Sequence, residues 1–356
     1  MNRFYLAPLS MLYGLAIRVR HALFDWKILR SREYGIPVVC VGNITVGGTG
    51  KTPVCEYIID LLSKEYAVAL LSRGYGRRTK GYLEVRAEAS YRDTGDEPKQ
   101  IKLKFPNVVV AVCEDRREGI RRIREEHPQV NLIVLDDGFQ HRRVEAWANV
   151  VLMDWTRPIY HDHLLPWGNL RDVTSQLHRA NFVIVTKCPI EYTPLELRII
   201  KKHLALFPYQ SIHFTTMIDG EPVALFRETV PQLLPKGGDV IALAGIGNPK
   251  PFVAHLKKRY NVVDKLLFED HHPYRRSDLE RMRQAVAKAG GVAAIVTTEK
   301  DAVKLINRRK IPDDIAGRLY YMPVNVSFLD RHDEVNFITK LKQYVRENQK
   351  HGLIHS

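Results

Sequence analysis

Val38-Val39-Cys40-Val41-Gly42-Asn43-Ile44-Thr45-Val46-Gly47-Gly48-Thr49-Gly50-Lys51-Thr52-Pro53 decides how the rest of this 356-residue chain is read. Its opening apolar run has the character of a strand buried on both faces of a parallel sheet. A glycine-dense turn follows, and an amphipathic helical pattern opens at Lys51. Strand, tight turn and helix N-terminus together form a nest of inward-pointing N–H groups at the positive end of a helix dipole, a ready site for phosphate. Gly50-Lys51-Thr52 closes the segment as a Walker A loop closes. The lysine then reaches the β- and γ-phosphates and the threonine hydroxyl ligates Mg²⁺. Thr45 stands where the usual pattern has its first glycine, and the adjacent Gly47 and Gly48 supply the backbone freedom instead. Thr45, Gly47, Gly48, Thr49, Gly50, Lys51 and Thr52 are thus the expected phosphate-binding set.

Working outward, the pattern is that of an α/β chain: a P-loop NTPase-like parallel sheet domain followed by a smaller α/β domain. A helix is expected over 51–63 and a strand over 67–71. Ser72-Arg73-Gly74-Tyr75-Gly76-Arg77-Arg78 follows that strand, at the sheet edge where α/β proteins bind ligands. Thr94-Gly95-Asp96-Glu97-Pro98 reads as a polar turn, 108–112 as a strand, and Asp115-Arg116-Arg117 as the start of a helix. The strand 130–135 runs into Asp136-Asp137-Gly138-Phe139-Gln140-His141. An apolar strand ending in acid is how a Walker B segment meets hydrated Mg²⁺, so Thr52, Asp136 and Asp137 are the expected metal residues. His161 and His163 lack a third ligand at a characteristic spacing and read as loop histidines.

Composition is that of an ordinary folded protein, with 45% apolar and 26% charged residues. The net charge of +14 points to an anionic partner: nucleic acid, anionic lipid or polyphosphate. Cys40, Cys55, Cys113 and Cys188 include no CxxC pair, which argues against a disulfide framework or zinc knuckle. Residues 1–36 carry Arg3, Arg18, Arg20, Lys27, Arg30 and Arg32 against Asp25 and Glu33, interleaved with Ile17, Val19, Leu23, Phe24 and Trp26. The apolar leader is too short to span a bilayer and shows no signal-peptide cleavage pattern. A basic, aromatic-bearing amphipathic helix of this kind suits an anionic membrane interface.

The expected domains are 1–36, a membrane-associating helical segment; 37–208, the nucleotide-binding domain; 209–228, a β-hairpin linker; and 229–356, a C-terminal α/β domain. The hairpin reading joins strands at 212–217 and 223–226 through Asp219-Gly220. Gly245-Ile246-Gly247 lacks a full dinucleotide pattern and reads as a substrate-facing turn. Strands are expected over 240–244, 292–297 and 320–326, with helices over 277–289 and 333–346.

With these segments in view, the chain resembles the tetraacyldisaccharide 4'-kinases, the lipid A 4'-kinases of Gram-negative bacteria. The resemblance spans nearly the whole length. It rests on the Gly42–Pro53 string, Ser72-Arg73-Gly74-Tyr75-Gly76, Gly95-Asp96-Glu97-Pro98 and Asp136-Asp137-Gly138-Phe139-Gln140-His141. It continues through Leu170-Arg171-Asp172, Asp270-His271-His272 and Thr298-Glu299-Lys300-Asp301-Ala302. It implies transfer of the γ-phosphoryl of ATP, with Mg²⁺, to the 4'-hydroxyl of an acylated glucosamine disaccharide 1-phosphate. The expected place is the cytoplasmic face of the inner membrane, on its anionic surface. By the same resemblance Asp96 is the base, His271 its partner, and Lys51 a catalytic contact to phosphate. Arg73, Arg77, Arg78, Arg116, Arg117, Arg171 and Asp172 are candidate substrate contacts. The family commonly has Glu where this chain has Asp172, and the sequence leaves open which of His271 and His272 meets the base.

Other readings are weaker on the residues. A P-loop kinase with a soluble acceptor would leave the N-terminal helix structural. ATPase switches of the xGGxGKT class usually carry an early loop lysine where Val46 stands, and Cys188 follows Thr186-Lys187 where a GTP-reading Asp would be. No aromatic platform or reading module supports nucleic acid, and no obligate protein partner is evident.

Overall fold

Val38 and Cys40 point into one apolar core and Val39 and Val41 into another, so the strand that carries the glycine loop is buried on both faces. The computed structural model describes residues 4–229, 231–306 and 310–354, with side chains as far as residue 347. Its strands in chain order are β1 (Val38–Asn43), β2 (Val68–Ser72), β3 (Leu83–Glu84), β4 (Val109–Val112), β5 (Leu132–Asp136), β6 (Ala148–Asp154) and β7 (Phe182–Thr186). They continue with β8 (Ser211–Asp219), β9 (Val223–Ala224), β10 (Asp239–Ala244), β11 (Asn261–Leu267), β12 (Ala294–Thr298), β13 (Leu319–Met322) and β14 (Val324–Phe328). One sheet has the order β14-β8-β7-β6-β1-β5-β2-β4-β3 and the other β11-β10-β12-β13-β9.

The chain divides into two units. The first comprises Met1–Ala89, Ile101–Met217 and Val326–Ser356 and holds the larger sheet. There β1 lies between β5 and β6, both parallel to it, in a register that sets Val41 beside Asp136. The second comprises Ser90–Gln100 and Ile218–Asn325. Its central β10 pairs parallel with β11 and β12, and its alternate residues also feed two cores: Ile241 and Leu243 in one, Val240 and Ala242 in the other. The α/β architecture with a large parallel sheet and an N-terminal helix matches the sequence reading.

The linker and the C-terminal boundary do not. The expected hairpin is absent: β8 pairs parallel with β7, whereas β9 pairs antiparallel with β13. Burial of Phe214 in the large core outweighs the local Asp219-Gly220 turn signal, and the Gly220 N–H bonds the Pro323 carbonyl instead. The single strand expected over 320–326 is two strands in two sheets, broken at Pro323, which has no N–H to continue a ladder. The terminal helix Arg331–Ile354 belongs to the first unit, not to a C-terminal domain. Its Phe337, Leu341 and Val345, one helical face at spacings of four, are buried with Phe182 and Phe328. Asp96, read as part of a turn, opens the helix Asp96–Lys104.

The N-terminal helix runs Ala7–Asp25, with Pro8 in its tolerant first turn, and the chain leaves it through Lys27 at positive φ. Residues 1–3, including the expected basic Arg3, lie outside the described residues. Ser10, Gly14, His21 and Phe24 form its buried stripe, while Leu9, Met11, Leu12, Leu15 and Val19 are exposed. Among the described residues no helix is long and apolar enough to cross a membrane.

Phe337→Ala is expected to lower the stability of the first unit by about 3–5 kcal/mol. The measurement is the denaturant midpoint of that unit's unfolding, and an unchanged midpoint would place the terminal helix outside its core.

Candidate active site

The loop after β1 turns into the helix Lys51–Leu62 through Gly50, whose φ of 80° and ψ of 27° lie in the left-handed region that favours glycine. Gly47 is also left-handed, with φ 90°. Three side chains fix the loop. Asn43 Nδ2 donates to Thr49 Oγ1 at 2.8 Å, Thr186 Oγ1 donates to the Thr49 carbonyl at 2.8 Å, and Lys187 Nζ bonds the Gly48 carbonyl. Lys187 is itself held by Asp154 at 2.6 Å. Thr186, Lys187 and Asp154 lie at or just past the carboxyl ends of β7 and β6, which flank β1 on one side. The loop is therefore braced by the sheet that launches it.

On the other side, the β1–β5 register delivers Asp136 and Asp137. Asp136 is buried and accepts from Ser72 Oγ at 2.9 Å. Burial first, then the neighbouring Asp137 charge, push its carboxyl above the ordinary range. Asp137 has φ 50° and receives both arms of Arg171, one at 3.0 Å, with Lys51 Nζ 3.7 Å away. Burial disfavours the Asp137 charge, but the Arg171 bonds and Lys51 outweigh it and hold the carboxyl at about 2. Arg171 also bonds the Asn43 side chain and carbonyl. Hard oxygen donors, the Asp136 carboxylate and the Thr52 hydroxyl, suit Mg²⁺, and a buried acid beside a second acid is stabilised by a cation. Asp137, also expected to meet metal, carries Arg171 across both of its oxygens.

The other expected phosphate clamps separate by burial. Arg77 is tied to the Gly81 carbonyl and Glu114, and its side chain is buried. Arg116 is buried and donates to the carbonyls of Cys113 and Asp136, bracing strand ends. Asp172 is buried against His21 at 2.7 Å. These three are internal ties, not exposed substrate contacts, because each head group already has its partners inside the protein. Arg117 pairs with its own helix cap Asp115 at 2.7 Å. Arg73 and Arg78 are exposed. Burial first, then the charges of Arg116 and Arg73, lower the nearby His141 to about 4, so its imidazole is neutral at neutral pH.

The second unit holds a separate acid–base cluster. His271 Nδ1 lies 3.0 Å from Asp96 Oδ2, and Lys304 Nζ lies 3.5 Å from the same oxygen. Lys300 Nζ reaches His271 Nε2 at 3.1 Å. An ammonium only donates, so toward Lys300 Nε2 is the acceptor, and Nδ1 faces Asp96 as the donor that orients its carboxylate. Burial alone would raise the Asp96 carboxyl, yet the His271 bond and then the Lys304 charge hold it below its ordinary value. His272 turns away, bonding Asp278 at 2.9 Å and stacking on Phe268. The Gly245 turn, expected to face substrate, supports the cluster from behind. Its N–H bonds Asp301 at 2.8 Å, and its carbonyl accepts the His271 N–H at 3.2 Å.

Sequence reasoning missed Asn43, Asp154, Lys187, Lys300 and Lys304. Lys187 had a signal, as a cation at a parallel strand's carboxyl end. Lys304 had one too, three residues after Asp301 on one helix face. His161 meets Tyr160 edge-on and lies tilted against His203, and His163 stacks on Trp167.

The sequence pattern of the family described as tetraacyldisaccharide-1-P 4'-kinase, LpxK, matches residues 2–345. A tetraacyldisaccharide 4'-kinase of Phocaeicola vulgatus is 40% identical over 354 residues, covering 98% of this chain and 96% of that protein. One from Bacteroides fragilis strain ATCC 25285 is 41% identical over 356 residues, covering 98% and 94%. Among solved structures, the "apo" form of LpxK from Aquifex aeolicus in complex with ATP superposes with a TM-score of 0.72 at 27% identity, over 96% of this chain and 99% of that one. A loop braced for phosphate, a strand-end acid pair and a full-length match agree, and the chain belongs to the tetraacyldisaccharide-1-P 4'-kinase family.

Proposed function

We propose that this chain transfers the γ-phosphoryl group of ATP to the 4'-hydroxyl of a tetraacylated glucosamine disaccharide 1-phosphate, forming the 4'-phosphorylated lipid A precursor. The observation that carries the reading is the loop of Gly47–Thr52 with Lys51 and Arg171 gathered on Asp137, in a chain that also holds the Asp96 carboxyl below its ordinary value beside His271. Loop N–H groups and Lys51 hold the phosphates of ATP, and Arg171, fixed on Asp137, adds its positive charge next to them. Thr52 and Asp136 are the residues that would hold Mg²⁺, which when bound supplies charge neutralisation at phosphate oxygens. Asp96 takes the proton of the 4'-hydroxyl as its oxygen bonds the γ-phosphorus, and the bond to the bridging oxygen breaks to release ADP. His271 keeps the Asp96 lone pair aimed, and Lys304 keeps that carboxylate ionised.

The acceptor's acyl chains favour an enzyme that works at a membrane surface, since lifting them into water costs about 0.8 kcal/mol per CH₂. Exposed Leu9, Leu12 and Leu15 on the N-terminal helix, with Arg18 and Arg20 also exposed, suit an anionic bilayer interface. This supports a peripheral place on the cytoplasmic face of the inner membrane of a Gram-negative bacterium.

Incubating the protein with γ-labelled Mg²⁺–ATP and the disaccharide 1-phosphate in detergent micelles is expected to give labelled 4'-phosphate lipid, and Lys51→Ala to give none. Label released as free phosphate with the lipid unlabelled would refute the acceptor. Asp96→Asn is expected to reduce kcat by about 10²–10⁴-fold with ATP affinity intact; wild-type turnover would remove Asp96 from the base role. A base with a depressed pKa is lost only as pH falls through that low value, so the acid limb of kcat/KM lies below the ordinary carboxylate range. His271→Ala removes a bond to the charged form, and that limb is expected to move to higher pH. Finally, Leu12→Asp with Leu15→Asp is expected to reduce cosedimentation with anionic phospholipid vesicles while ATP binding persists; undiminished cosedimentation would refute the docking face.

A further inference from the structure

The segment 164–172 of the first unit is held from two sides. On one side the helix Ala7–Asp25 grips it with three side chains. Ser10 Oγ donates to the Leu164 carbonyl at 2.8 Å, Tyr13 Oη donates to the Arg171 carbonyl at 3.0 Å, and His21 Nε2 meets Asp172 Oδ1 at 2.7 Å. On the other side its backbone pairs with the start of the phosphate loop. The Val46 N–H donates to the Asn169 carbonyl at 2.8 Å, the Arg171 N–H to the Ile44 carbonyl at 2.9 Å, and Thr45 bridges Leu170. Arg171 and Asp172 are consecutive and are anchored to different elements: Arg171 to Asp137 and Asn43, Asp172 to the N-terminal helix.

The His21–Asp172 pair is nearly closed to solvent, at 3% and 1% exposure. Arg142 reaches His21 Nδ1 at 3.1 Å and, as a guanidinium, only donates. Nδ1 therefore accepts, and Nε2–H donates to Asp172. The carboxylate also receives the Val173 N–H at 2.9 Å and Gln140 Nε2 at 3.5 Å. Every polar atom of the pair is engaged, so it acts as a fixed strut. Removing either partner strands a buried polar group, and the cost falls on the backbone that carries Arg171.

We propose that His21 and Asp172 are positioning residues for ATP: through them and Tyr13 the N-terminal helix sets Arg171 on Asp137, and thereby the affinity of the phosphate loop. This rests on the reading that the Gly47–Thr52 loop binds ATP. The helix that offers an apolar face to lipid is then the same element that holds the phosphate-binding arginine in place.

The test is calorimetric titration of Mg²⁺–ATP into the full chain as wild type, His21→Ala, Arg171→Ala and the double variant. His21→Ala is expected to weaken ATP about tenfold when Arg171 is present and to add nothing when it is absent, the signature of two residues acting as one unit. Tyr13→Phe removes only the bond to the Arg171 carbonyl and is expected to weaken ATP in the same direction while folding as wild type. His21→Gln, whose amide nitrogen can stand in for Nε2–H, is expected to restore affinity. A purely structural histidine would lower the melting temperature and leave ATP affinity unchanged. Unchanged affinity in both His21→Ala and Tyr13→Phe overturns the proposal, as does equal weakening in the two Arg171 backgrounds. A wild-type chain that binds no ATP overturns the nucleotide reading itself, and the proposal with it.

Discussion

The parallel pairing of β1 with β5, with Val41 beside Asp136, is the constraint on which the first unit depends. Both strands are buried on both faces, so apolar contact fixes their register on either side. A slip of one residue would exchange every side chain between the two cores. At the carboxyl end of this pair the chain deposits the glycine loop from one strand and two aspartates from the other. The apolar sheet thus sets how closely Lys51, Asp136 and Asp137 approach. Charges gathered in a partly buried place are costly to desolvate, and a rigid, dry sheet beneath them is what keeps them from relaxing apart.

Those two aspartates are neighbours in sequence and opposites in environment. Asp136 faces inward toward Ser72, and burial raises its pKa; Asp137, at a left-handed backbone position, is surrounded by Arg171 and Lys51 and held at about 2. Titratable groups pushed apart in this way take different tasks. Asp137 is already neutralised by protein cations and serves as the anchor that keeps Arg171 and Lys51 near each other. Asp136 has hydroxyl support from Ser72 and, among the described residues, forms no comparably close ion pair.

The phosphate loop, the strand-end acids and most strands were legible because each is written in contiguous residues whose pattern depends on local geometry. Pairing between distant segments was not. Asp219-Gly220 is a sound turn signal, yet Phe214 and its strand gain more by burial in the large sheet. The residues over 320–326 look like one β-rich run, and only the missing N–H of Pro323 hints that the chain changes sheets there. Arginine clusters defeat sequence reading for a related reason. Arg73 and Arg77 lie four residues apart after the same strand, but Arg77 finds Glu114 and a backbone carbonyl and is consumed by them. Nothing in residue type separates a clamp from a tie; the partner's position does, and that is a property of the fold. His21 with Asp172 is the same lesson at a separation of 151 residues.

The second unit solves a different problem, holding the mostly buried Asp96 carboxyl below its ordinary value. Lys304 is fully buried yet bridges Asp96 and Asp301, and Asp301 is itself fixed by Thr298 and the Gly245 N–H. His271 sits at φ 61°, a conformation uncommon for a residue with a side chain. Its N–H is held by the Asp270 side chain at 3.0 Å and the Gly245 carbonyl at 3.2 Å, which fixes the backbone in that unusual state. Strain of this kind persists where surrounding bonds over-determine it. Here it aims Nδ1 at Asp96, while Lys300 lies against Nε2. The His271 bond orients the Asp96 carboxylate, and the lysines add the field that holds it below its ordinary value.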